Sequence, residues 1–153
     1  MLNNLQHMEV LGNFLNERNI LTLSKERAVI IKLWLGNYLQ GKYRSFQAAN
    51  NKLRVQWNNQ KKWTIHGSPS NWFEEIDLIL MPMIWKNQHW VGLAIKLGNW
   101  CVDILDPNYQ LNDDRQVDEF MARIVIQIPY IINKFCQPRM LKFMDWLLSV
   151  GQE

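Results

Sequence analysis

Two residues seventeen positions apart, His89 and Asp106, sit where their surroundings let them act on each other. Between them lies Gly98-Asn99, flanked on both sides by alternating apolar residues, the pattern of two strands joined by a tight turn. Taken as a two-residue loop with Gly first, as a type II′ turn prefers, it sets Leu97 opposite Trp100. Counting outward then pairs Ile95 with Val102, Leu93 with Ile104 and Val91 with Asp106. His89, two residues beyond Val91, shares the face of Asp106 and is its diagonal neighbour. The rest of that face, from Val91 to Leu97 and from Trp100 to Ile104, is apolar, so a His and an Asp meet at the open end of a buried sheet surface. A carboxylate beside an imidazole fixes its tautomer and stabilises its charged form, which is the base and orienter of a nucleophilic triad. The same residues serve structure alone when a His ends a strand and an Asp opens a turn such as Asp106-Pro107-Asn108. The register also depends on loop length, because a three-residue loop would shift every pair.

The elements that must hold this hairpin follow from periodicity. Met8, Leu11, Phe14 and Leu15 recur at helical spacing, predicting a helix over about 3–17. Ser24 ahead of Lys25-Glu26-Arg27 resembles a cap. With Val29, Ile30, Leu33, Trp34 and Leu35 as an apolar stripe and Gly41 as a stop, it predicts a second packing helix over about 25–40. Residues 42–71 are polar and irregular, with turn signals at Asn50-Asn51, Asn58-Asn59 and Gly67-Ser68-Pro69-Ser70. Strands are expected at 77–84, 88–95 and 100–105. Val117, Phe120, Met121 and Ile124 then fit a helix, Pro129 interrupts it, and Pro138 can start a last helix reaching about Val150.

Composition sets outer bounds. A chain of 153 residues, 48% hydrophobic and 12% aromatic, is the size of one domain with a real core. A net charge of +3 does not argue for nucleic acid or an anionic membrane. No apolar run approaches the roughly 20 residues of a spanning helix. Residues 1–7 lack the basic start and apolar stretch of a secretory signal, so an intracellular setting, nucleus or cytoplasm, is expected. Two cysteines, Cys101 and Cys136, without CxxC spacing give no disulfide framework and no zinc knuckle. His7 and His66 lack metal-type partners and no glycine-rich phosphate loop occurs, so no metal and no cofactor are expected.

His89-Trp90 followed by Asp106, with Trp72 and Asp77 upstream and Pro82 between, resembles the core signature of the ubiquitin-like-protein-specific cysteine proteases, which include SUMO-deconjugating enzymes and the adenovirus protease. The segment from Trp72 to Pro82 is similar to the one leading into that family's His strand, and His7-Met8-Glu9-Val10 to the opening helix of plant, transposon-associated members. The resemblance spans about residues 5–130. It implies an α+β, papain-like fold with a short, mostly antiparallel sheet flanked by helices. It further implies His89 as general base, Asp106 as its orienting partner, and Trp90 in the narrow channel that admits the Gly-Gly tail of a SUMO-type ubiquitin-like protein. Trp72 and Asp77 then support the fold. Pro107 stands where many relatives have Ser, and no Trp opens the first helix to give the channel its second wall.

The family's nucleophile is a Cys-Gly at a helix start, preceded by an oxyanion Gln, and no such pattern follows Asp106. Cys101 points to the face opposite Asp106, about 16 Å along the strand. Cys136 precedes the expected last helix, whose N-terminus would favour a thiolate, but no oxyanion Gln stands before it. The resemblance thus implies a single domain over 1–153 that stops short of its nucleophile and is inactive as it stands. Two other readings remain: a catalytically dead binding module for a ubiquitin-like protein, and a nucleic-acid surface at Lys52, Arg54, Trp57, Lys61, Lys62 and Trp63. That stretch also reads as a solvated loop with buried Trp anchors.

Overall fold

The computed structural model of the protein describes residues 2–57, 72–86 and 89–136. Its centre is a four-stranded sheet in the order β1-β2-β3-β4, with β1 Ala28–Ile30, β2 Leu78–Trp85, β3 His89–Lys96 and β4 Cys101–Leu105. The three long strands run antiparallel as a meander, and β1 joins β2 in parallel, Val29 opposite Ile79. Strand β2 alternates half-buried and buried residues along its whole length, so one face of the sheet carries Ile79, Met81, Met83 and Trp85. Val91, Leu93 and Ile95 of β3 extend the same face.

Helices cover that face. α1 is Leu2–Arg18, α2 Ile20–Lys25, α3 Leu33–Ala48, α4 Asp114–Val125 and α5 Ile128–Phe135. Leu35, Leu39 and Phe46 of α3, Ile124 of α4, and Ile128, Ile131 and Ile132 of α5 form one core with the strand residues. α3 comes close enough to β2 that a Cβ on Gly36 would lie 3.3 Å from Met83 Cγ and 3.4 Å from the Pro82 carbonyl oxygen. α4 opens on a capping box: Asp113 Oδ1 accepts from Gln116 N at 2.8 Å and Gln116 Oε1 from Asp113 N at 3.0 Å. The break expected at Pro129 is the junction of α4 and α5, with proline in the first turn of α5. No described helix is long and apolar enough to cross a membrane. The helix expected after Pro138 lies outside the described residues, as does the stretch 58–71.

The second expected helix divides. Residues 28–30 are a strand and the helix runs from Leu33 to Ala48, with Gly41 inside it rather than at its end and Ser24 in the last turn of α2 rather than ahead of a helix. Arg27 turns the chain, adopting φ 52°, and its guanidinium donates to both oxygens of Asp77 and to the Phe73 carbonyl. The β-branched run Val29-Ile30-Ile31 then pairs with β2, where tertiary pairing overrides the helical stripe. Asn16 of α1 closes the outer edge of β1: its Nδ2 donates to the Ile30 carbonyl at 2.8 Å and its Oδ1 accepts from Ile30 N at 3.2 Å. α1 packs less apolar surface than its spacing suggests, leaving Leu11 and Phe14 exposed.

One buried polar residue ties the helices together. Gln127, fully buried between α4 and α5, donates from Nε2 to the carbonyls of Leu39 (2.7 Å) and Arg123 (2.6 Å). Gln127→Ala removes both bonds and is expected to cost about 1–3 kcal/mol in urea unfolding. A loss within 0.5 kcal/mol, to which roughly surface substitutions are confined, would show that the amide holds nothing.

Candidate active site

The β3–β4 hairpin has the register read from the alternation, with Ile95 opposite Val102 and Leu93 opposite Ile104. Its turn differs. The last paired rung is Lys96 with Cys101, so the loop is the four residues 97–100, and the left-handed residue is Trp100 (φ 53°) rather than Gly98. Adding one residue on each side of a two-residue loop leaves every pair in place, whereas adding one in all would have shifted them. Near the turn, Lys96 Nζ meets Asp103 Oδ2 at 2.6 Å across the strands, and this ammonium holds the Asp103 carboxyl below its ordinary range.

At the other end of the hairpin, His89 opens β3 and Asp106 follows the last residue of β4. His89 Nε2 lies 2.7 Å from Asp106 Oδ1, and both side chains are 8% exposed. The same oxygen accepts the Asn108 amide at 2.8 Å, an Asx turn that fixes the carboxylate before it meets the ring. The ionised carboxylate accepts only, so Nε2 carries the proton and Nδ1 is the nitrogen left to exchange one. A buried imidazole so tethered can take a proton from an acid presented at Nδ1 and hold the resulting charge against Asp106.

The other candidates fall around this pair. Trp90 follows His89 on β3 and so belongs to the opposite face, half-buried and opposite Ile84. Trp72 is buried in the core and Asp77 holds Arg27. Cys101 sits at the far end of β4, its Sγ 3.5 Å from Asp103 Oδ1. Cys136 is the C-cap of α5, donating its N–H to the Ile132 carbonyl at 2.9 Å, and burial pushes its thiol up to about 12. The negative end of the α5 dipole also opposes a thiolate there.

Two further residues shape the site. Trp85 faces His89 across β2 and β3, with ring centroids 6.3 Å apart. The spacing of β2 would reveal it in sequence only if the length of the β2–β3 connection were legible. Asn108 belongs to the turn signal Asp-Pro-Asn, and that signal alone does not show it to be the donor that fixes Asp106.

Among the described residues no cluster of three His, Cys, Asp or Glu suits a metal ion. The cation-rich stretch is occupied in part by its own fold. Lys52 Nζ donates to the carbonyls of Gln47 and Ala49, Lys42 Nζ to that of Gln56, and Trp57 is buried. Lys61, Lys62, Trp63 and His66 lie outside the described residues.

Residues 3–150 match the family model described as the Ulp1 protease family, C-terminal catalytic domain. No curated protein and no solved structure matches the chain. That match covers nearly the whole sequence, and the helices and mixed four-stranded sheet are the α+β architecture the resemblance implied. The chain belongs to the Ulp1 protease family, as its catalytic domain, and is by family a cysteine peptidase acting on ubiquitin-like proteins.

Proposed function

We propose that His89 and Asp106 are the general base and the orienting carboxylate of a cysteine peptidase that cleaves after the C-terminal Gly-Gly of a SUMO-type protein. The observation that carries this reading is the buried Nε2–Oδ1 bond of 2.7 Å at the open end of the sheet. In this mechanism Nδ1 of His89 takes the proton of a cysteine thiol and the thiolate adds to the carbonyl carbon of the terminal glycine. The imidazolium returns the proton to the departing amine, leaving a thioester that water, deprotonated by the same nitrogen, hydrolyses. Asp106 stabilises the imidazolium in both halves. Trp90, next to the base in sequence and on the other face of β3, forms part of the wall that admits the glycine tail.

The thiol comes from outside residues 1–153 in this proposal, because neither Cys101 nor Cys136 suits the role. The first lies at the wrong end of the hairpin, and the second is held protonated. Residues 1–153 then make a single domain that binds its partner without cutting it, in the nucleus or cytoplasm. An electrophilic probe built on a SUMO C-terminus tests this. Residues 1–153 are expected to remain unlabelled, and the chain extended in its own reading frame to be labelled at a new cysteine, with labelling lost in His89→Ala. Labelling of residues 1–153 that vanishes in both Cys136→Ser and His89→Ala would make Cys136 the nucleophile. Binding without labelling at any length would favour the dead binding module.

A further inference from the structure

We infer that Trp85 is a positioning residue for this site: its indole, braced by Phe120, holds the His89 imidazole on Asp106 and keeps water from the bond between them. The inference rests on reading the pair as a working base and orienter. Trp85 and His89 are direct cross-strand partners at the last rung of β2 and β3, the closest relation two side chains of a sheet can have. Their rings stand 6.3 Å apart at 57°, within the range of tilted aromatic contacts. Asp106 makes one bond to the imidazole, through one oxygen, which leaves the ring free to tilt about that bond unless something bears on its face. Trp85 bears on it.

The orientation of Trp85 is itself set by packing. The residue is 3% exposed, yet its indole Nε1 is buried without a hydrogen-bond partner among the described residues, where a buried indole ordinarily finds one. What fixes the ring is Phe120 of α4, stacked on it at 5.0 Å and 24°, with the Arg123 guanidinium 6.0 Å from the Phe120 ring. A series of contacts thus runs from α4 through Phe120 and Trp85 to the imidazole.

Proton and nitrogen NMR of the His89 ring in residues 1–153 tests the role without requiring turnover. In the wild type the ring is expected in the Nε2–H form with a downfield, slowly exchanging proton. Trp85→Ala is expected to speed exchange of that proton with water about tenfold, the upper range of what an aromatic contact contributes, and to mix the tautomers. Trp85→Phe, which keeps a ring, stays within about threefold of wild type. Ile79→Val, a core change six residues from Trp85 at the other end of β2, lowers Tm without altering the ring signals. A folded Trp85→Ala protein with wild-type exchange and tautomer overturns the proposal, as does an equal change in Ile79→Val. Should Trp85→Ala fail to fold, Trp85→Leu and Phe120→Leu decide: both are expected to speed exchange, and unchanged exchange in both overturns it. A wild-type ring lacking the Nε2–H form would instead remove the His89–Asp106 reading itself, and this proposal with it.

Discussion

In an active form of the protein, Asp106→Asn is expected to lower kcat/KM by only about 10- to 100-fold, whereas Asp106→Ala lowers it about a thousandfold or more. The difference follows from the second bond to Asp106 Oδ1. Where an amide replaces an orienting carboxylate and turns its NH2 toward the imidazole, the wrong tautomer results and about ten-thousandfold is lost. Here Oδ1 also accepts the Asn108 backbone N–H at 2.8 Å, and an amide NH2 cannot accept that proton. In the Asp106→Asn variant the amide oxygen is therefore held where Oδ1 was, His89 keeps its proton on Nε2, and only the charge opposing the imidazolium is lost, roughly a charged against a neutral hydrogen bond. Alanine removes orientation and charge together. His89→Ala removes the proposed base and is expected to cost as much as loss of the nucleophile, since such residues act as a unit. Steady-state hydrolysis of a SUMO C-terminal fluorogenic conjugate measures the series. Equal losses for the two Asp106 variants would show that the Asx turn does not govern the site.

The hairpin is legible in sequence because one face of it must be buried. Alternating apolar residues on both arms tolerate only even changes in loop length, so the register is the same for a two-residue and a four-residue turn, and with it the meeting of His89 and Asp106. β1 is not legible. Three residues of a parallel edge strand have no period of their own, and what makes them a strand is β2, some fifty residues further on, together with an Arg27–Asp77 contact of the same span. The β-branched run 29–31 looks like the start of a helix that begins only at Leu33. The role of Trp85 is hidden for a related reason: its partner is set by the short β2–β3 connection, which no turn signal marks. Local chemistry carries what depends on neighbours in sequence, and contacts between distant segments carry the rest.

Alkylation of Cys136 in the folded protein is expected to run about 100-fold slower than that of a free thiol at pH 7.5. Burial of the side chain raises its pKa to about 12. At pH 7.5 a thiol with that value is ionised in roughly three molecules per hundred thousand, against roughly one in ten for an unperturbed cysteine. The greater nucleophilicity of a more basic thiolate recovers only part of this factor. The same shift makes stability depend on pH. A thiol whose folded pKa lies above its unfolded value binds its proton more tightly when folded, so the contribution is fully present below about pH 8.5 and is lost as the pH climbs toward 12. Stability of the wild type relative to Cys136→Ala should therefore fall between about pH 8.5 and 10.5, with a slope below the limit of about 1.4 kcal/mol per pH unit because solvent screens a half-buried group. Urea titrations of both proteins across that range, with iodoacetamide kinetics at pH 7.5, test the two consequences together. Rapid alkylation, or a stability difference that stays flat with pH, would mean that Cys136 ionises easily in the folded state, and it would then return as a candidate partner for His89.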